Sequence, residues 1–227
     1  MSLQGDIVVN IVETGEPAVE PVPLALAFMA ASIDEDIAAD PTAQQLMGQF
    51  ITQARDYCEN ALSRAFVSRT FELRMNRFPF AIPTVYYPYY SLERMPTQLY
   101  GQIYIPYPPL VSIEAITYTA PDGTVLTLDP SQYVYEAGGK FQGIVTPAYG
   151  VTFPQTRYAM STAVVAFTAG YSADASKVPA GIKSGMLLLT SHYWRNREAT
   201  APGAALPQEI ALGVDSCLAP YQWGFYG

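Results

Sequence analysis

Histidine is almost missing from this chain: among 227 residues there is one, His192. A serine or cysteine nucleophile working with an imidazole base would have to use it. A zinc site made from His192 and two distant cysteines lacks the close ligand spacing that such sites share. His192 stands beside Tyr193 and Trp194 near the end of an apolar segment, and we read it as a packing residue. At a helix C-terminus a partly charged imidazole is also modestly favoured. Cysteine is nearly as scarce. Cys58 and Cys217 each fall among apolar neighbours in segments with helical spacing, so they read as buried thiols and not as a disulfide framework. That fits a reducing compartment. Basic residues are few, 12 Lys and Arg against 20 Asp and Glu, which argues against a free-standing nucleic-acid binder. No apolar run is long enough to span a bilayer, which takes about 20 residues; the longest, Pro23 to Ile33, is only weakly polar and short. Met1–Asn10 has neither the basic region nor the apolar core of a signal peptide. There is no phosphate loop: Gly138-Gly139-Lys140 lacks the rest of that pattern and reads as a hairpin turn. No internal repeat is present.

What the chain does have is a hydrophobic half, 50% of its residues, sufficient for a substantial core. Its charge is unevenly spread. Residues 1–60 hold ten acids and one base, Arg55, whereas residues 61–227 hold ten acids and eleven bases. Two local clusters stand out. Asp34, Glu35, Asp36 and Asp40 could hold a cation or do acid–base work, but acids at helix starts before Pro41 account for them equally well. Arg64, Arg69, Arg74 and Arg77 form a basic run with Glu72 as the only acid among them. It reads either as a solvated strand edge or as a contact with an acidic partner. Because the front of the chain is so acidic, the partner we favour is another subunit, with Arg69, Arg74, Arg77, Tyr87 and Tyr89 as contact residues.

Periodicity divides the chain in three. Ile7–Val12 reads as a short strand or extended arm, and Glu16–Pro23 as a proline-rich connection. Leu24–Ala39 is alanine-rich and expected to be one helix. Leu46, Phe50, Ala54, Tyr57 and Ala61 recur at three or four residues, predicting a core-facing helix over 42–64. Phe71, Leu73 and Met75 then alternate with polar residues, as in a half-buried strand. The proline and tyrosine density of 78–109 predicts a long projecting loop or hairpin. Strands are expected at 111–118, 125–128, 133–136, 143–146 and 163–169, with Pro121-Asp122-Gly123-Thr124 as a turn. Helix returns over 179–197 and again around Ile210, Val214 and Leu218, before the aromatic tail Tyr221-Gln222-Trp223-Gly224-Phe225-Tyr226. Helices, strands, then helices imply an α+β fold. We expect an arm at 1–23, a helical core from 24–66 and 178–219, an inserted antiparallel β-rich subdomain at 67–177, and a tail at 220–227.

Several of these segments, in this order, resemble one family. Gln53-Ala54-Arg55-Asp56-Tyr57-Cys58-Glu59 matches a helix of the form A-R-x-x-x-E. Ile105-Pro106-Tyr107-Pro108-Pro109-Leu110-Val111 matches a proline-rich lead-in to a strand, and Ile116-Thr117-Tyr118 with Asp122-Gly123-Thr124 matches the strand and turn that follow. Phe167-Thr168-Ala169-Gly170-Tyr171 matches a closing strand, followed by the proline-started helix that ends in Tyr193-Trp194-Arg195-Asn196-Arg197-Glu198. Together they resemble the head–tail connectors, or adaptors, of tailed phages, over roughly residues 24–220. The chain departs from that family in having no Lys in Leu24–Ile33 and in an expanded Phe78–Gln102.

The resemblance implies a non-enzymatic, cofactor-free virion protein. It would form a homo-oligomeric ring, commonly dodecameric, under the portal protein. The ring would pass double-stranded DNA without sequence-specific binding and offer its other face to a stopper or tail protein. It would be assembled in the host cytoplasm, without a membrane, in a phage or in a phage-derived particle such as a gene transfer agent. Within that frame we expect Tyr221, Trp223, Phe225 and Tyr226 to anchor the portal, and Asp34, Glu35, Asp36 and Asp40 to line the channel or the ring surface. The rival readings are another neck component (a stopper or tail-completion protein) and a carbohydrate-binding or hydrolytic module built on the tyrosine-rich β region.

Overall fold

The computed structural model describes residue 7 and residues 9–79, 101–197 and 208–222. The fold is α+β and divides into two compact units: residues 1–16 with 68–170, and residues 17–67 with 171–227.

The first unit is built of strands. A five-stranded antiparallel sheet has the order β1-β2-β8-β4-β5, formed by β1 (Val9–Glu13), β2 (Arg69–Met75), β8 (Ala163–Ala169), β4 (Leu110–Thr119) and β5 (Val125–Thr127). A three-stranded sheet has the order β3-β7-β6, from β3 (Ile103–Ile105), β7 (Gly143–Pro147) and β6 (Tyr133–Glu136). β2 and β8 alternate cleanly, burying Phe71, Leu73 and Met75 on one and Ala163, Val165, Phe167 and Ala169 on the other. Phe71 stacks on Phe167 at 5.4 Å and on Tyr107 at 5.0 Å. β4 does not alternate. Its register against β8 shifts between Leu110 and Ser112 and again between Ile113 and Ala115. Each shift inserts an extra residue, so Leu110, Ile113 and Ile116 are the buried positions, three residues apart.

Three readings are decided or changed here. Of the short strand or extended arm read at 7–12, the strand is what forms: residues 9–13 pair with β2 from Val9↔Met75 to Glu13↔Phe71. β2 therefore lies inside the sheet, and its arginines do not form a solvated edge. Residues 103–105, expected within the projecting loop, form a strand. Residues 80–100 lie outside the described residues.

The second unit is helical: α1 (Leu24–Ala30), α2 (Glu35–Ala38), α3 (Pro41–Leu62), α4 (Ala180–Arg195) and α5 (Gln208–Leu218). The single helix expected over 24–39 is interrupted. Ser32 takes a left-handed backbone (φ 56), and the amide of Ile33 donates to the Phe28 carbonyl while that of Ser32 donates to Met29. This is the closing pattern that ends helices, made by serine where glycine is usual. α3 ends in the same way at Ser63 (φ 50), with the Arg64 amide donating to the Glu59 carbonyl. The core joins Met47, Phe50, Ile51, Ala54 and Cys58 of α3 to Ile182, Met186, Leu189, Tyr193 and Trp194 of α4, with Phe28 of α1 and Val214 and Leu218 of α5. Trp194 takes Phe28 and Phe50 edge-on at 5.9 and 6.4 Å. Among the described residues, no helix is long and apolar enough to cross a membrane.

Candidate functional site

The acidic cluster sits at two helix starts. Asp34 occupies the N-cap position of α2, and Glu35 and Asp36 lie in its first turn, where negative charge is favoured by the aligned backbone dipoles. Asp40 caps α3, its carboxylate accepting from the amides of Thr42 (3.2 Å) and Ala43 (3.3 Å). All four acids are exposed. Asp34 and Ile37 help to line an open groove of about 700 Å³ whose other residues include Trp194, Arg195 and Arg197. In that groove the Arg197 guanidinium lies 4.1 Å over the Trp194 ring, with its Nε donating to the Trp194 carbonyl at 3.0 Å. Among the described residues no group of His, Cys, Asp and Glu is arranged to hold a metal ion.

The basic run does not form one surface. Arg64 belongs to the helical unit and is buried. In the β unit Arg69 pairs with Glu13 of β1 and lies over the Phe71 ring at 5.1 Å. Arg74 donates to Glu72 two residues away, at 2.9 and 2.6 Å. Arg77 lines a small cavity of about 230 Å³ with Phe78, Phe153 and Tyr158. Both Arg69 and Arg74 thus meet acids of their own chain. Tyr87 and Tyr89 lie outside the described residues.

At the C-terminus, Trp223, Phe225 and Tyr226 lie outside the described residues, whereas Tyr221 ends a 3-10 turn (Ala219–Tyr221) packed on the helical core. Its carbonyl accepts from Arg64 Nε at 2.8 Å. Tyr221 is part of the unit's own packing.

His192 lies in the last turn of α4, where Asn196 Nδ2 is 3.1 Å from Nδ1 and donates to the His192 carbonyl at 3.0 Å. Both cysteines are free thiols. Burial pushes the Cys58 thiol up to about 12, with Glu59 and Cys217 adding to the shift. A thiol so disposed stays protonated and inert at neutral pH. Cys217 is only partly buried.

One surface gave no periodic signal in the sequence. The segment 148–162, between β7 and β8, is pinned by the Phe153 ring on Phe78 (4.8 Å), the Arg157 amide on the Thr119 carbonyl (2.9 Å) and Thr162 Oγ1 on the Asn76 carbonyl (2.6 Å). From it Tyr149, Tyr158 and Met160 project into solvent. The cluster of large apolar residues between turn-formers was the only hint of it in the sequence.

The chain matches solved structures over nearly its whole length. A chain from the neck of an empty gene transfer agent particle, determined with C6 symmetry, aligns with a TM-score of 0.69 and 17% identity, covering 96% of this chain and 98% of that one. The fold is shared with gene transfer agent neck chains. A chain from the virion of the native gene transfer agent particle aligns with a TM-score of 0.69 at 15% identity, and one from the native neck with C12 symmetry at 0.62 and 16%, both with the same coverage. No protein-family model matches the sequence, and no curated protein does.

Proposed function

We propose that this chain is a head–tail connector (adaptor) of a tailed phage or phage-like particle, forming a ring under the portal and continuing the DNA channel towards the tail. The supporting observation is the fold likeness over 96% of the chain to a chain from a particle neck, where the related structures carry C6 and C12 symmetry. A closed ring uses a heterologous contact, in which two different faces of each subunit meet. In this reading the protein is structural and non-enzymatic, resides in the virion neck, and meets the portal on one side and a stopper or tail protein on the other.

The test is the mass of the assembled species with and without portal protein. A ring should co-assemble with portal, and a monomer in isolation is compatible with that result. A chain that binds tail protein but never portal would instead be a stopper or tail-completion protein.

Within this reading Trp223, Phe225 and Tyr226 are the portal anchor, as aromatic side chains are enriched at interface cores. Because Tyr221 packs on the helical core, the informative truncation falls after Gln222. It should abolish portal capture and leave the circular-dichroism melt unchanged; unchanged capture would remove the tail from the mechanism. The acids at 34, 35, 36 and 40 are proposed to face the ring surface or the channel. Asp34→Asn, Glu35→Gln, Asp36→Asn and Asp40→Asn together remove the charge while Asn keeps the α3 cap. Slower DNA delivery or weakened assembly is expected, and a fully normal particle would dispose of the idea. Arg69, Arg74, Arg77, Tyr87 and Tyr89 remain proposed subunit contacts.

A further inference from the structure

α1 is a surface helix without a polar side chain. Its sequence, Leu24-Ala25-Leu26-Ala27-Phe28-Met29-Ala30, turns Ala27 and Phe28 into the core and leaves Leu24, Leu26 and Met29 exposed, Met29 by 74%. A helix that is apolar on all sides is ordinarily covered on all sides. Ile37 of α2 is a further exposed apolar residue. The charge nearby in sequence has one sign. Residues 14–54 hold six acids and no base, and the first base, Arg55, is paired with Glu20 and Asp56. Of the acids that follow α1, Asp34 shares its groove with Arg195 and Arg197, whereas Glu35 and Asp36 are exposed and take no part in that lining.

The segment 148–162 of the β unit has the reverse character. Tyr158 and Met160 are 81% and 79% exposed, and Tyr149 is fully so. Residues 137–173 contain no Asp or Glu, and their two bases, Lys140 and Arg157, are exposed. Arg157 lies by the turn at 120–124, its Nη1 within 3.4 Å of where a Cβ on Gly123 would stand. The acid of that turn, Asp122, accepts from the Thr124 amide at 2.9 Å. Arg77 adds a further base, lining one cavity with Tyr158. The contacts of Phe153, Arg157 and Thr162 hold this segment in place, so its surface is formed before any partner arrives.

One chain thus carries two exposed apolar surfaces flanked by opposite charge. A closed ring needs such a pair, because each copy offers one face to one neighbour and a different face to the other.

We propose that the face of α1 and α2 bearing Leu26, Met29, Glu35 and Asp36 packs on the 148–162 segment of the next copy. The apolar side chains form the centre of the contact, and Glu35 and Asp36 stand opposite Arg157. The contact rests on the reading of this chain as a ring subunit. Complementary charge at its margin fixes which faces meet.

The test reverses the charge in the full-length protein. Glu35→Lys with Asp36→Lys reverses one face, Arg157→Glu reverses the other, and the triple variant reverses both. Native mass spectrometry over a concentration series, alone and with portal protein from the same particle, follows assembly. Reversing either face should raise the concentration for half-assembly about tenfold. The triple variant should return to within about threefold of wild type, since its two faces complement each other again. Met29→Asp, at the apolar centre, should cost about tenfold or more. All four sites are exposed, so thermal melts should match wild type, and recovery in the triple variant would itself report a folded chain. Single-face losses that the triple variant does not recover would mean that the faces meet other proteins, portal included, and would overturn the contact. Normal assembly of every variant would overturn it and leave the ring standing. A wild-type chain that assembles neither alone nor with portal would remove the ring, and the contact with it.

Discussion

The two units hold themselves together in different ways. In the helical unit the stabilising signals are local and repeated: an aspartate cap and proline at the start of α3, a left-handed residue closing it, and one amphipathic stripe feeding a continuous core. In the β unit β4–β5 and β6–β7 are local hairpins, but the central pairings join residues far apart in sequence. β1 pairs across some sixty residues with β2, and β2 pairs across some ninety with β8. Its outer strands carry exposed β-branched residues, Val9 on β1 and Val125 on β5. Both units expose large apolar side chains, Met29 and Leu212 on the helical unit and, on the β unit, a pinned loop with Tyr149, Tyr158 and Met160 turned outward. Free sheet edges and projecting aromatics are surfaces that neighbouring chains can use.

The largest expected effect comes from opening the core of one unit and watching the other. Phe167→Ala, at a fully buried stacked ring, should cost about 3–5 kcal/mol, and Leu189→Ala in α4 about 2–5 kcal/mol. Hydrogen exchange should rise mainly in β2, β4 and β8 for the first and in α3, α4 and α5 for the second. Uniform acceleration across both units would erase the distinction drawn between them. A smaller effect sharpens it: Asp40→Ala should lower the urea-derived stability by about 1 kcal/mol, while Asp40→Asn should be close to neutral, because asparagine also accepts from the first-turn amides. Equal losses in both variants would mean that the charge, not the cap, matters there.

The smallest effect at neutral pH is that of Cys58. Its thiol ionises near 9 in the unfolded chain and only near 12 when folded. Unfolding therefore releases protons between these values. The stabilisation associated with Cys58 is complete below pH 9 and is lost as pH rises towards 12. Alkylation of the folded protein at pH 8 should label Cys217 well before Cys58, and equal rates would show that α3 is looser than its packing implies.

The helices were legible because their signals are short-range. The stripe from Leu46 to Ala61 and the cap at Asp40 lie within one segment, and the observed α3 matches the expected helix to within two residues at either end. The break between α1 and α2 was not legible, since Ser32 fills a backbone position that glycine usually marks. The strands from 110 to 169 were located by turn residues and alternation, but β4's two bulges alter which of its side chains are buried, and bulges have no reliable sequence signature. The basic run misled for a related reason. Arg69 looks solvent-facing until β1 arrives from the N-terminus to supply Glu13 and turn β2 into an inner strand.

The sequence by itself determined the α+β order, the helical and strand periods, and the absence of a membrane-length apolar run, because each depends on residues within about one element of each other. Only the tertiary structure decided which strand is an edge and that Arg64 reaches Tyr221. Those facts depend on pairs of residues brought together by the whole fold, and no local pattern encodes a hydrogen bond between residues 157 positions apart.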